Sequence, residues 1–184
     1  MRQTRSRAAS LPHSRDMADT DALEVGRSRG SRLALGVVVA VALAGLVAWF
    51  VTHPPAPATS VTDLRASVPA GRPLYLGVYG PDPAGGRTLH LSRVELRHTG
   101  DAVVEALVCR DGALDVTTAP DAFCRGLVPA AGAELGPGDQ LVVRVTSSTG
   151  GPVRVSRPRL SYRDGLQWGT HDAGRRAAVT VLAR

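Results

Sequence analysis

Residues 135–146 read LGPGDQLVVRVT, and this stretch decides the fold. Its glycines and proline are a tight-turn signal. The residues that follow alternate apolar Leu141, Val143 and Val145 with polar Arg144. A period of two places the three apolar side chains on one face of a strand and Arg144 on the solvent face. The stretch therefore predicts a turn that leads into a half-buried β-strand.

Strand-like patterns continue on both sides of this stretch. Segments that are alternating or rich in apolar residues lie at 73–79, 88–96, 103–109, 114–118, 153–162 and 177–182. Clusters of glycine, proline and aspartate separate them, and no sustained helical period follows residue 60. We therefore predict a mainly β domain over residues 61–184, an antiparallel β-sandwich of seven to eight strands that is immunoglobulin-like in the broad sense.

The segment 88–96 contains an irregularity. Its apolar positions are Leu89 and Leu91, and then the phase shifts to Val94 and Leu96. A one-residue slip moves side chains to the other face of a strand, so the shift indicates a bulge or a crossover between sheets.

Two further features are predicted near the C-terminal end. Pro158 interrupts the segment 153–162, and proline inside a strand is typical of an edge position, so we expect an edge strand with a break. Asp164-Gly165 joins two strand-like runs and predicts a hairpin with a type I′ turn.

Cys109 and Cys124 are the two cysteines of the chain, with fourteen residues between them. An even number of cysteines in an oxidising compartment favours a disulfide. Their spacing is neither C-x-x-C nor that of the immunoglobulin inter-sheet bridge. We predict a structural disulfide that holds the intervening loop against the sheet; paired metal ligands and free thiols are the alternatives.

Residues 33–51 read LALGVVVAVALAGLVAWFV and contain no charged residue. At 1.5 Å per residue, a helix of this length is roughly 28 Å long, close to the hydrocarbon thickness of a bilayer. We predict a transmembrane signal-anchor helix that Pro54 and Pro55 terminate. A proline-rich linker, residues 52–60, follows, and we expect it to be an extended spacer. The alternative is a cleaved signal peptide with its cleavage site after Ala58.

Arginine placement predicts the orientation of the helix. Arg27, Arg29 and Arg32 lie just before the span, whereas the twenty residues after it contain a single arginine, Arg65. The positive-inside rule then places the N-terminus in the cytoplasm and the C-terminal domain outside, at the cell membrane. Residues 1–32 have seven arginines and few large apolar side chains, so we expect a disordered basic cytoplasmic tail.

One face of the predicted span consists of small residues. Gly36, Ala40, Ala44 and Ala48 recur every four positions, a spacing that lets two membrane helices approach closely. Because the span is rich in glycine and alanine, chance also accounts for this run. A helix-mediated dimer is therefore one hypothesis for an oligomeric state that the sequence leaves open.

The overall plan is a short arginine-rich tail, a signal-anchor, a proline-rich linker and a small β domain. It resembles many uncharacterised single-pass membrane proteins of high-GC Gram-positive bacteria that carry a small immunoglobulin-like domain outside the membrane. The resemblance is one of architecture across the whole chain. No diagnostic motif accompanies it, so it implies no functional residues.

Motifs for catalysis or metal binding are missing from the sequence. The five histidines form no H-x-H, H-x-x-x-H or H-E-x-x-H pattern, and there is no G-x-S-x-G elbow. We therefore expect no catalysis, no bound metal and no cofactor. The net charge of +6 comes from 22 arginines and 16 acidic residues without any lysine, and the domain outside has a charge of only +3, so nucleic-acid binding is not expected either.

The remaining signal is one of interaction. Arginine, tyrosine and tryptophan are enriched in protein interfaces. The C-terminal region combines these residue types in one possible interaction surface: Arg154, Arg157, Arg159, Tyr162, Arg163 and Trp168. The alternative places the two aromatic side chains in the core and makes the arginines a solvated sheet edge.

These observations predict a membrane-anchored binding or accessory module for a protein partner of the cell envelope. The arginine-rich surface would equally suit anionic cell-wall polymer or lipid headgroups. A sensor or carrier of a small molecule or envelope component is the alternative function, and a membrane-tethered hydrolase is a more remote one.

Overall fold

The computed structural model describes residues 29–81 and 86–183. One α-helix, α1, spans Arg29–Thr52. It ends before the prolines at 54 and 55, as predicted, because proline lacks the N–H that would continue the helix. Its segment Leu33–Thr52 is long and apolar enough to cross a membrane, and a signal sequence near an N-terminus has the same character. All side chains from residue 33 to residue 50 are exposed.

Most of the predicted tail lies outside the described residues. This applies to residues 1–28, Arg27 among them, and to the side chains of Arg29 and Arg32. The backbone of the latter two residues belongs to α1. The predicted disorder of the tail and the orientation of the helix therefore stay predictions.

Thirteen strands follow α1 in the described residues. They are β1 (Leu64–Pro69), β2 (Leu74–Tyr79), β3 (Leu89–Glu95), β4 (His98–Thr99), β5 (Val103–Arg110), β6 (Val116–Thr117), β7 (Gly126–Pro129), β8 (Glu134–Leu135), β9 (Gln140–Thr146), β10 (Gly151–Val155), β11 (Arg159–Asp164), β12 (Gln167–Asp172) and β13 (Ala177–Leu182). The prediction of seven to eight strands is too low. Three of the strands have only two residues each, and two residues carry no periodic pattern that a sequence can reveal.

The strands form three sheets, and the domain is mainly β as predicted. The five-stranded sheet has the order β6-β2-β9-β5-β7, and the four-stranded sheets have the orders β1-β13-β10-β4 and β12-β11-β3-β8. Antiparallel pairing dominates, but β1 pairs with β13 in parallel, from Leu64 opposite Ala177 to Pro69 opposite Leu182. The parallel pair was not predicted, because the two buried apolar residues of β1 lie four positions apart rather than two.

The main hydrophobic core draws on all three sheets. The predicted face of β9 is fully inside it: Leu141, Val143 and Val145 are at most 1% exposed. Burying a Leu or Val side chain contributes roughly 1.5–3 kcal/mol relative to leaving it in water, so this face contributes strongly to the stability of the domain. Val142, on the opposite face of β9, is also fully buried.

The phase shift predicted in residues 88–96 is a β-bulge. Leu91 is opposite Tyr162 and Arg93 is opposite Ser161, so Ser92 is an extra residue in β3. The Ser92 hydroxyl donates to the Ser161 carbonyl over 2.9 Å. The bulge restores the inward direction of the apolar side chains after the slip.

Two of the local predictions near the C-terminal end are wrong. Pro158 separates β10 from β11, but both are interior strands of different sheets and not one broken edge strand. The predicted hairpin is present between β11 and β12, but it turns at Gly165-Leu166, one residue later than predicted. Gly165 has φ +57°, whereas Leu166 is not among the residues with positive φ, so the turn is not type I′, which requires positive φ at both positions.

The predicted disulfide between Cys109 and Cys124 is present, with 5.2 Å between the two Cα atoms. Cys109 lies on β5, and Cys124 follows a 3₁₀ turn at Pro120–Ala122. Both cysteines are buried in a small cluster with Leu114 and Val142, on the face of the five-stranded sheet opposite the main core. The bridge therefore links the loop to β5 within a satellite core.

Replacing both cysteines by serine is expected to lower the stability of the domain by about 3 kcal/mol, the chain-entropy contribution of a loop of this size. Urea unfolding of the full chain in detergent measures the loss. Treating the wild-type protein with reductant is the matched control, since it should give a similar shift. Equal unfolding midpoints for all three samples would contradict a stabilising bridge.

Asp139 fixes the turn that leads into β9. Its carboxylate accepts from the backbone N–H of Asp111 and of Gly136 over 3.1 Å each, and from Arg110 Nη1 over 2.7 Å. Burial alone raises the pKa of this carboxyl group, but these hydrogen bonds outweigh burial and hold the pKa below its ordinary value of 3.8. The ionised form is therefore the one that organises the turn.

Asp139→Asn is expected to cost about 1–3 kcal/mol at neutral pH, because it weakens three hydrogen bonds to a charged acceptor. The stability from Asp139 is complete above its unfolded pKa near 3.8 and is lost as the pH falls through the lower folded pKa. The difference between wild type and variant should thus shrink in acid. Urea midpoints from pH 7 down to about pH 2 measure this. Asp121→Asn, at an exposed position, is the control. A difference in midpoint between wild type and Asp139→Asn that stays constant down to acid pH would contradict this role of Asp139.

Candidate functional site

The linker between helix and domain lies against the domain. Pro54 and Pro57 are buried, although the proline-rich segment was expected to be an extended spacer. The Pro55 carbonyl oxygen accepts two hydrogen bonds, from the Tyr162 hydroxyl over 3.1 Å and from Arg87 Nη2 over 3.3 Å. The linker is therefore docked on the domain.

The second half of the linker forms backbone hydrogen bonds with the segment before β13. Thr59 bridges to Gly174 in parallel, the Ser60 N–H donates to the Gly174 carbonyl, and the Gly174 N–H donates to the Ala58 carbonyl, both over 2.9 Å. Arg157 Nη2 donates to the Ser60 carbonyl over 2.8 Å. An extended segment thus joins the fold without forming a regular strand.

Two of the six predicted surface residues serve this docking instead. Tyr162 is 1% exposed and belongs to the core, so its place in an interaction surface is wrong. Burial raises the pKa of its hydroxyl group, which therefore stays protonated and donates to the Pro55 carbonyl. Arg157 is half-buried against Ser60. Both residues hold the linker.

Arg159, Arg163 and Trp168 face outward on β11 and β12. Arg163 is directly opposite Trp168, and its Cζ lies 5.7 Å from the centre of the indole ring, a cation–π contact. The strand period alone places Trp168 and Tyr162 on opposite faces of this hairpin. The sequence did not reveal which of the two faces is buried, because that depends on the linker and on β3.

Arg154 lies apart from those three residues, on β10 of another sheet. Ala178 of β13 has Arg154 on one side and Arg65 of β1 on the other. The two arginines flank the floor of an open groove of about 930 Å³ that Ser67, Thr99 and Thr180 also line. Within the described part of the chain, neither Arg65 nor Arg154 forms an ion pair. We call this surface the Arg65–Arg154 groove.

A smaller groove adjoins it. Arg97, Arg157 and Arg159 line this second groove together with Glu95 and Asp172. The two grooves share Ser156 and Arg176 as lining residues. Sequence reasoning missed Arg65 and Arg97, because the grooves form only when β1, β4, β10 and β13 assemble from distant parts of the chain.

The two histidines of the domain with side-chain contacts have different partners. His90 Nδ1 is 3.2 Å from a Glu134 carboxylate oxygen, and the His171 ring packs on Tyr162. Over residues 29–81 and 86–183, no three histidine, cysteine or acidic side chains are grouped as a metal site would require.

No family model matches the chain, and no curated protein matches it. Functional inference therefore depends on the geometry of the docked linker and of the two grooves.

Gly169→Ala is expected to weaken the docking of the linker. A Cβ at Gly169 would lie 2.5 Å from Pro54 Cγ, and overpacking of this kind costs about 1–3 kcal/mol. Urea unfolding of the full chain in detergent measures the cost. Gly126→Ala is the matched control, because a Cβ there meets nothing within 4 Å. Equal midpoints for the two variants would contradict a packed linker.

Proposed function

We propose that the chain is a single-pass membrane protein whose C-terminal domain is an extracytoplasmic, non-catalytic binding module for a protein partner of the cell envelope. The observation that carries the proposal is the continuous connection from an apolar helix through a docked linker to a domain with an open arginine-lined surface. Such an arrangement holds a binding surface at a fixed place near a membrane.

The disulfide supports the proposed compartment. Disulfides persist in oxidising environments outside the cytoplasm, and the Cys109–Cys124 bridge lies in the C-terminal domain. The arginines before the helix favour an orientation that agrees with this compartment, with the N-terminus in the cytoplasm and the C-terminal domain outside.

The docked linker favours a retained anchor over a cleaved signal peptide. Cleavage after Ala58 would remove Pro54, Pro55 and Pro57 from their contacts with the domain and would separate the Ala58 carbonyl from the strand-like bridge to Gly174. A signal peptidase site is normally an accessible segment that the mature fold does not use.

We also interpret the three sheets as two layers of a sandwich, with the two four-stranded sheets as one layer. Residues from both of these sheets pack in one core with the five-stranded sheet. The Ser156 N–H donates to the Arg97 carbonyl, at the point where β3 leads to β4 and β10 leads to β11. An immunoglobulin-like relationship is part of this interpretation.

The Arg65–Arg154 groove is the proposed partner surface. Its arginines, hydroxyl groups and central alanine form a shallow basic floor, which suits the carboxylates of an acidic protein surface. The groove volume of about 930 Å³ also lies within the range of ligand pockets, which keeps an anionic envelope component as the alternative ligand. Its openness favours the protein partner.

Charge reversal of Arg65 and Arg154 together is expected to abolish partner recovery. The full chain is purified from crosslinked membranes, and co-purifying proteins are quantified by mass spectrometry. Arg93→Glu with Arg125→Glu is the matched control, since both residues are exposed and the charge change is the same. Identical recovery from all three proteins would contradict the assignment of the groove. Groove-dependent binding of an anionic polymer without any protein partner would favour the alternative.

The anchor and its orientation are tested separately. Alkaline carbonate should leave the chain in the membrane pellet, and a phosphatase fused after residue 184 should be active while the same fusion at the N-terminus should not. Release by carbonate, or the opposite pattern of activity, would contradict the proposed topology.

A further inference from the structure

The tip of the β11–β12 hairpin exposes two large apolar side chains. Leu166, at the turn, is 78% exposed, and Trp168 is 56% exposed. Turn positions normally hold polar residues or glycine. Exposed leucine and tryptophan beside each other indicate a surface that meets something less polar than water.

Gln167, between these two residues, contacts the end of α1. Its Nε2 atom donates to the Phe50 carbonyl oxygen over 2.8 Å. The last four carbonyls of a helix have no partner within the helix, so Gln167 acts as a cap for one of them. The hairpin tip thus lies beside the last turn of the helix.

The Trp49 carbonyl, one of the last four of α1, has side-chain partners as well. The Thr52 hydroxyl donates to the Trp49 carbonyl over 3.2 Å, and His53 Nδ1 lies 2.8 Å from the same oxygen. The Trp49 and His53 rings stack with 5.0 Å between their centres. Unpaired carbonyls are costly near the hydrocarbon, and aromatic rings favour the interface with the headgroups. Paired carbonyls beside an aromatic ring therefore suit a helix end at that interface.

The length of the span fixes the depth of this contact. The inference stated below rests on the membrane anchor proposed in the preceding subsection. Twenty residues, Leu33–Thr52, extend about 30 Å as a helix, which equals the hydrocarbon thickness. Phe50 lies about 3 Å from the end of that length. A side chain bonded to its carbonyl is therefore at the outer boundary of the hydrocarbon.

The geometry points to the hairpin tip as a second membrane contact, in which Leu166 and Trp168 insert into the outer lipid interface of the bilayer that holds α1. Tryptophan prefers this interface because its ring is apolar and its N–H is polar. Arg163, over the ring of Trp168, directs its charge toward lipid phosphates while its aliphatic stem stays with the apolar residues.

Tryptophan fluorescence of the full chain tests the contact. The chain has two tryptophans, so Trp49→Phe leaves Trp168 as the sole emitter and preserves a ring at position 49. The protein is reconstituted in vesicles of phosphatidylcholine and phosphatidylglycerol. Lipids brominated near the headgroup should reduce Trp168 emission by at least about twofold, and acrylamide in the water should quench it weakly.

Leu166→Asp in the same background should reverse both effects, because a charge at the tip opposes insertion. Val103→Asp is the matched control, since Val103 is 64% exposed on β5 and far from the tip in sequence. Strong acrylamide quenching of Trp168 in vesicles, without an effect of brominated lipid, would overturn the inference. So would shielding of Trp168 that depends on protein concentration or on an added partner, because a second copy or a partner would then cover the tip.

Carbonate extraction of the same vesicles separates the two possible failures. If the chain resists extraction and Trp168 is exposed to water, only the hairpin contact is wrong. If the chain is extracted, the proposed anchor fails as well.

Discussion

The Pro55 carbonyl oxygen connects the linker to the domain. It accepts hydrogen bonds from the Tyr162 hydroxyl and from Arg87. Proline carbonyls are free to accept because an extended proline-rich segment forms no internal hydrogen bonds. The linker is also stiff before it docks, so little further conformational entropy is lost. The same docking keeps the β11–β12 hairpin beside the last turn of α1, where Gln167 donates to the Phe50 carbonyl.

The arginines divide into those that bond to distant segments of the domain and those that form no ion pair within the described residues. Arg110 and Arg157 bond to backbone carbonyls of distant segments, and Arg175 donates to the Gly77 carbonyl over 3.0 Å and pairs with Asp115. Arg65 and Arg154 have no acidic partner within the described residues. A composition that supplies arginine and no lysine therefore provides cross-links inside the fold as well as a basic surface, and the number of arginines alone does not distinguish the two uses.

Much of the fold was predictable from local patterns. The end of β9 and both bounds of β13 agree with the sequence patterns, as do the bulge at Ser92 and the Cys109–Cys124 bridge, because each depends on residues a few positions apart or on a pair of rare residues. The features that were not predicted depend on contacts between distant parts of the chain. No pattern in residues 64–69 indicates that β1 lies parallel to β13, and nothing local indicates that Tyr162 is buried by a linker 107 positions earlier. The candidate groove combines residues from β1 and β10, so the sequence identified Arg154 but not Arg65.

Hydrogen exchange at the Ser60 amide is the most direct test of a docked linker. In the full chain reconstituted in lipid, the hydrogen bond from this amide to the Gly174 carbonyl should slow exchange by at least about 100-fold relative to an unstructured peptide. The Leu64 amide, which donates to the Arg176 carbonyl, reports on the domain itself in the same experiment. Protection of both amides is the predicted result. Unprotected Ser60 together with protected Leu64 would mean that the linker is a free spacer, and it would contradict the account.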